Sequence, residues 1–199
     1  IAMESVPQKV RDLFNKGFAA LERGNFDYAI DMLTACLEIE PALLKARRFL
    51  RAAQIQKRKG TKSSAFSDSM IMVKALPMVA ILKMQLRSKK GDEALKTSEK
   101  LLAMDPVNPE FTVLAADAAS LRDLPEAAIL TLEVAREHRP DNIKILHRLA
   151  TLYAQVGNTK AARDCFEKMH ALKPNDPAMV KAYKDSMALH SIAGDGWEQ

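Results

Sequence analysis

Residues 146–174 read LHRLATLYAQVGNTKAARDCFEKMHALKP, and this stretch decides the fold. Its small and apolar residues recur at spacings of three and four on both sides of a Gly-Asn turn: Leu146, Leu149, Ala150 and Tyr153, then Ala162, Phe166 and Met169. Such spacing places each set on one face of a helix. Pro174 lacks a backbone N–H and disfavours helix in the residue before it, so it ends the second helix. The stretch predicts a helix–turn–helix unit.

The prolines indicate that this unit is repeated. They stand at Pro41, Pro77, Pro106, Pro140 and Pro174, with spacings of 36, 29, 34 and 34 residues. A period near 34 is typical of stacked helix–turn–helix repeats. In the first unit, Gly17 holds the small position of the first helix and Gly24-Asn25 forms the turn. The small and apolar residues of its second helix are Ala29, Leu33 and Cys36.

The pattern resembles the tetratricopeptide repeat, whose signature is W-x2-L-G-x2-Y, then A-x3-F, then P. The resemblance covers residues 10–174 with a divergent middle, and no unit has the consensus Trp. The unit before Pro140 matches through Ala115, Ala116, Ala119, Ala128, Leu132 and Ala135. The resemblance implies an all-α fold, a right-handed α-solenoid of about five helix–turn–helix repeats plus a C-terminal capping helix. Such arrays bind other proteins and contribute no chemistry of their own.

The repeat register divides the chain into four parts. Residues 1–9 are a lead-in, in which two residues precede a candidate start Met, and residues 10–176 are the array, with its divergent middle at 42–105. Residues 177–190 are the capping helix and 191–199 a tail. In the middle, Pro77 is expected to begin a new helix after a partner helix at 65–76, which gives eleven helices in all. The polar break at 60–69 is expected to be the most mobile internal stretch.

Composition narrows the class of protein. Of the 199 residues, 48% are hydrophobic and 28% are charged, which is typical of a soluble globular chain. Two cysteines cannot build a disulfide framework, and no apolar signal segment opens the sequence. The longest uncharged stretch of the apolar middle, residues 75–82, is far too short to span a membrane. We therefore expect a cytoplasmic location and no membrane span.

The net charge of +5 hides a segregation of charge along the sequence. Residues 41–91 hold 13 basic side chains and 1 acidic one, whereas the segments before and after carry net charges of −3 and −4. The basic patch that we single out is Arg47, Arg51, Lys57 and Arg58. Two interpretations stay open: a solvated block neutralised by neighbouring acidic helices, or a surface that attracts an acidic partner or the phosphates of a nucleic acid.

In the tetratricopeptide family the first helix of each pair lines the groove of the solenoid. By register, the groove candidates here are Arg11, Phe14, Phe18, Lys45, Arg48, Ala52, Glu110, Val113, Asp117, Lys144, His147 and Thr151. Phe14 and Phe18 form an apolar ridge that either anchors a peptide or packs on a neighbouring helix. One subgroup of the family clamps the C-terminal carboxylate of chaperone tails with Lys, Asn and Arg. The two phenylalanines hold the matching positions, so we do not expect that activity.

The sequence lacks the patterns of catalytic and metal sites. Four histidines are scattered over separate helices, and no phosphate-binding glycine motif is present. We expect no metal, no cofactor and no enzymatic activity.

The leading hypothesis is a non-catalytic interaction scaffold that binds a protein or peptide in the groove. In one version of this hypothesis the partner is acidic. The alternatives are a nucleic-acid or anionic-surface binder through residues 45–62, and self-association. The methionines of the middle, such as Met70 and Met84, either fill an irregular core or line an adaptable binding surface.

Overall fold

The computed structural model of the chain describes residues 3–60 and 65–195. Over these residues the fold is all-α, without a strand, and forms a helical-repeat solenoid, as the sequence predicts. It has ten α-helices where the sequence analysis expects eleven, because residues 65–87 form one helix in place of two. A short 3₁₀ turn, Met3–Ser5, precedes the helices. The helices are α1 (Gln8–Glu22), α2 (Phe26–Ile39), α3 (Leu44–Gly60), α4 (Ala65–Arg87), α5 (Gly91–Met104), α6 (Pro109–Ser120), α7 (Pro125–His138), α8 (Ile143–Gln155), α9 (Thr159–Leu172) and α10 (Pro177–Asp195).

Asparagine caps set the starts of four helices. The side-chain oxygens of Asn25, Asn108, Asn142 and Asn158 accept hydrogen bonds from backbone N–H groups in the first turns of α2, α6, α8 and α9. Each cap satisfies a donor that the helix leaves free. The turns predicted before α2 and α9 are confirmed, because Gly24 and Gly157 take positive φ angles of 73° and 78°. This left-handed backbone carries no penalty for glycine.

Two predicted helix boundaries are wrong. Pro77 does not begin a helix but lies inside α4, which continues for 23 residues. The missing N–H of Pro77 costs helix stability, but Ala75, Val79 and Leu82 bury one continuous face across it and offset that cost. The capping helix α10 runs to Asp195, five residues beyond the predicted end. The predicted mobile stretch at 60–69 lies largely outside the residues whose side chains are described.

The helices stack in two groups. Helices α4 to α10 pack successively on one another, and the first helices of successive pairs, α4, α6 and α8, also touch in a row. Helices α1, α2 and α3 form the other group, whose core includes Val10, Leu33 and Leu50. Helix α3 joins the two groups by packing on α7 and forming ion pairs with α5.

Helix α4 is unusually apolar for its exposure. Among the described residues, Ser69–Arg87 is the one segment long and apolar enough to cross a membrane by length and composition, with 17% of it buried. The sequence argument counted only the uncharged stretch 75–82 and therefore missed this segment. Length and composition alone do not separate a membrane-crossing helix from a helix that packs in a soluble fold.

Candidate partner-binding surfaces

Charge pairs connect the neighbouring first helices of the C-terminal group. Lys83 on α4 lies 2.8 Å from Glu110 on α6, measured from Nζ to Oε1. The Arg148 Nε on α8 donates a 2.7 Å hydrogen bond to the Asp117 Oδ1 on α6, and its Nη2 donates to Ser120 Oγ at 3.2 Å. Burial raises the pKa of Asp117, although Arg148 opposes that rise. These pairs fix the spacing of the first helices.

Lys144 and His147, two of the groove candidates, lie exposed on α8. Helix α8 is fixed in rotation because Ile145, Leu146 and Leu149 are buried on its opposite face. Thr151 is half-buried and donates its hydroxyl hydrogen to the His147 carbonyl at 3.0 Å. We define the α6–α8 surface as the groove candidates on these two adjacent helices: Glu110, Val113, Asp117, Lys144, His147 and Thr151.

The N-terminal groove candidates Phe14 and Phe18 pack against another aromatic ring, that of Phe49 on α3. Phe14 is 4% exposed and belongs to the core of α1 to α3. Its ring centroid lies 6.2 Å from that of Phe18 and 5.8 Å from that of Phe49, and the Phe18 and Phe49 centroids are 4.9 Å apart. Phe14 therefore packs on the neighbouring helix α3, which is the second of the two roles left open for it, and it is too buried to serve as a groove anchor. Phe18 and Phe49 are half-buried.

The three cationic groove candidates of this end differ in their contacts. Arg11 is half-buried and donates to the Glu4 carbonyl at 3.2 Å and to the Gln8 Oε1 at 2.8 Å, so its guanidinium is used within its own unit. Lys45 is exposed, with its Nζ 5.3 Å from the centroid of the Phe14 ring, a cation–π contact. Arg48 is exposed on α3.

The predicted basic patch is divided among ion pairs between helices. Arg47 and Arg51 are 2% and 0% exposed, and both bind Glu99 of α5. Arg58 Nη2 lies 3.3 Å from the Asp105 Oδ2, and its Nη1 donates to the Met104 carbonyl at 3.1 Å. These three arginines therefore do not form an exposed basic surface, whereas Lys45, Arg48 and Lys57 of the same segment are exposed.

Lys57, the fourth member of the patch, is exposed and pairs with Asp27 of α2. This contact agrees with the alternative in which acidic helices of the first unit neutralise the basic block. Periodicity could not locate the burial of Arg47 and Arg51, because their partner lies 52 and 48 residues away. The sequence signal for this burial was that both arginines fall at helical spacing on the same side as the buried apolar residues Leu43 and Leu50.

A cavity of about 310 Å³ lies between α2, α3 and α5. Leu37, Leu50 and Leu95 line it with apolar surface, while Glu99 and Arg47 supply polar atoms. The sequence did not predict it, since it arises from the contact of α3 with α5.

The thiols of Cys36 and Cys165 are buried. Burial raises the pKa of Cys36 and of Cys165 to about 11 in each case. A thiol with so high a pKa is almost wholly protonated near neutral pH and is a poor nucleophile or metal ligand. In the described ranges, 3–60 and 65–195, no group of three or more His, Cys, Asp or Glu side chains is placed to hold a metal ion.

The successive packing of antiparallel helix pairs defines a helical-repeat protein. Residues 121–184 match the tetratricopeptide repeat family. The C-terminal part of the chain therefore carries tetratricopeptide repeat sequence, within a helical-repeat fold. No curated protein matches the chain.

Three solved structures show the same fold. The Sgt2 TPR domain from Aspergillus fumigatus is 21% identical, with a TM-score of 0.54 over 68% of this chain and 86% of that chain. The first TPR domain of human RPAP3 is 18% identical, with a TM-score of 0.54 over 62% and 97%. PcrH in complex with the chaperone binding region of PopD is 17% identical, with a TM-score of 0.51 over 63% and 95%.

Proposed function

We propose that this protein is a non-catalytic scaffold that binds a segment of a partner protein along the α6–α8 surface. One observation carries the proposal: adjacent first helices form a surface whose spacing is fixed by ion pairs and on which Lys144 and His147 stay exposed. A solenoid offers such a surface to extended or helical segments. Two structural relatives support this use, since PcrH is seen with a region of PopD and the first TPR of RPAP3 with an HSP90 peptide.

The proposed partner segment is acidic. Glu110 and Asp117, the carboxylates of the surface, are paired with Lys83 and Arg148. The exposed side chains of Lys144 and His147 can meet incoming carboxylates, Lys144 with its positive charge and His147 with a ring N–H that donates a hydrogen bond. Charge of one sign on a rim mainly accelerates association and selects the partner. The N-terminal end is the lesser contributor, because Phe14 is buried within the core.

The test is a selection of peptides from a display library on the purified protein, followed by affinity measurements with variants. The double variant Lys144→Glu, His147→Glu is expected to weaken binding of the selected peptides by at least tenfold. Lys160→Glu is the matched control, since Lys160 is also exposed but lies on the second helix α9. Equal loss in the control, or no loss in the double variant, overturns the proposal.

A further inference from the structure

Helix α4 presents a second apolar face that nothing in the described structure covers. Its inner face packs through Ala75, Val79 and Leu82. The outer face has Val73 63% exposed, Leu76 58% exposed and Met84 61% exposed. The exposed apolar side chains of this face are Met70, Val73, Leu76, Ile81 and Met84. A helix that is apolar all round is normally covered on all sides.

The apolar face is broad and long. Leu76 and Ile81 lie at its two edges, five residues apart, which corresponds to an arc of about 140° around the helix. From Met70 to Met84 the face extends about 21 Å at the rise of an α-helix. Pairing with one other helix buries a narrower seam and would leave one edge bare. A flat apolar surface can contact the whole arc of about 140° at once.

The charged side chains that residues 69–91 place beside this face are all positive, and one of them, Lys83, is paired with Glu110 of α6. Residues 69–91 contain five basic side chains and no acidic one, namely Lys74, Lys83, Arg87, Lys89 and Lys90. On the helical wheel Lys74 adjoins the edge at Ile81, while Lys83 and Arg87 adjoin the edge at Leu76. An apolar face with cationic edges matches the boundary between acyl chains and anionic headgroups.

A second copy of the chain fits this face less well. In an antiparallel contact of two α4 helices centred between Met78 and Val79, Lys74 of one copy faces Lys83 of the other. Lys83 is paired with Glu110 of α6, but α4 offers no carboxylate in 69–87 to pair with Lys74. Like charges placed opposite each other oppose association.

We propose that the outer face of α4 binds the surface of an anionic lipid membrane, with the helix lying in the plane of the interface. Val73, Leu76 and Met84 enter the acyl boundary, and Lys74 and Arg87 bind headgroup phosphates or carboxylates. The helix does not cross the bilayer, because its inner face forms part of the core with α5 and α6. This binding is independent of the α6–α8 surface.

The experiment is co-sedimentation of the whole chain with lipid vesicles. The two vesicle types are phosphatidylcholine alone and phosphatidylcholine with roughly one third phosphatidylserine. We expect sedimentation with the anionic vesicles, at least about tenfold weaker partitioning into the neutral ones, and release by high salt.

Two variants separate the apolar from the ionic contribution. Val73→Ser with Met84→Ser removes apolar contacts, and Lys74→Glu with Arg87→Glu reverses charge; each is expected to lower partitioning at least about tenfold. Val156→Ser is the control, because Val156 is an exposed apolar residue elsewhere. All five side chains are exposed, and circular dichroism checks that each variant folds.

Three outcomes overturn the proposal. The first is no binding to anionic vesicles; Val73- and Met84-dependent binding of an amphipathic peptide with Leu and Glu faces, or of a second copy of the chain, would then identify the occupant of the face. The second is equal loss with Val156→Ser. The third is resistance to a high-salt wash, which shows that headgroup charge does not hold the protein on the membrane.

Discussion

Arg51 on α3 and Glu99 on α5 form a buried ion pair, with the Arg51 Nη2 2.7 Å from the Glu99 Oε2. Arg47 binds the same carboxylate, so one negative charge serves two buried guanidinium groups. In the described part of the chain, the Nε atoms of both arginines lack a hydrogen-bond partner. The attachment of α3 to the C-terminal group therefore depends strongly on Glu99.

Replacement of Glu99 by Ala is expected to destabilise the fold by about 3–5 kcal/mol, because it leaves two buried cations without their counter-charge. The measurement is the free energy of unfolding in urea. Asp92→Asn is the matched control: Asp92 is another acid of α5 that pairs with an arginine, Arg122, but it is largely exposed. That change is expected to cost less than about 1 kcal/mol. Similar losses in the two variants would contradict the argument.

The contribution of Glu99 is expected to depend on pH. Burial acts to raise the pKa of this carboxyl, but Arg51 and Arg47 outweigh it and hold the pKa below its ordinary value of 4.5. The stability that Glu99 supplies is complete above the ordinary value and is lost as the pH falls through the lower folded-state pKa. Glu99→Gln cannot titrate at this position. The difference in unfolding free energy between the wild type and Glu99→Gln should shrink from about pH 7 to about pH 3. A difference that grows in acid would contradict this.

The repeat register was readable from the sequence because close helix crossings require small residues. Gly17, Ala29, Ala128, Ala150 and Ala162 are all buried where the register places them. These positions recur with the period of the unit, so five weak local signals support one another. The helical-repeat fold follows from them.

The middle of the chain could not be read in the same way. Pro77 is a helix breaker by local preference, but the tertiary packing of α4 decides otherwise. The burial of Arg47 and Arg51 depends on Glu99, which lies in another part of the sequence and has no local signature. The outer face of α4 was also ambiguous, since apolar periodicity does not tell a covered face from a bare one. These are properties of long-range contacts.

Gly17→Ala is expected to destabilise the first unit. A Cβ at this position would lie 2.7 Å from the Leu33 Cγ and 3.3 Å from the Met32 Cβ. Alanine has a higher helix propensity than glycine by about 1 kcal/mol. Overpacking of the helix crossing costs about 1–3 kcal/mol, and this cost is larger the closer the new Cβ approaches its neighbours, so the net change is destabilising. Thermal unfolding is the measurement.

Gly91→Ala is the control for this substitution. Its Cβ would lie 2.7 Å from the Arg122 Cδ, on a flexible side chain that is able to move away. The change should therefore be close to neutral, because it disturbs at most a surface ion pair. An equal loss of stability in both variants would show that the crossing at Gly17 is not special.

The two cysteines are expected to resist alkylation in the native protein. Cys36 and Cys165 are both buried, and burial raises the pKa of each thiol to about 11. Iodoacetamide reacts with the thiolate, which is scarce at neutral pH and inaccessible here. Mass spectrometry should show no adduct under native conditions and two adducts in urea. Rapid labelling of either cysteine without denaturant would contradict its burial.

Phe14→Ala is expected to cost about 3–5 kcal/mol of stability, since it removes a buried aromatic ring from the core of α1 to α3. It also removes the cation–π contact of Lys45. Phe18→Ala should cost less stability, because Phe18 is only half-buried.

Phe14→Leu keeps much of the apolar volume, so it should retain the fold. It should also leave the affinity for peptides selected on the α6–α8 surface unchanged. Urea unfolding and peptide titration of the three variants are the measurements. Were Phe14→Ala to leave the unfolding midpoint unchanged while abolishing peptide binding, Phe14 would be a groove anchor, and the α6–α8 surface would lose its place as the principal site.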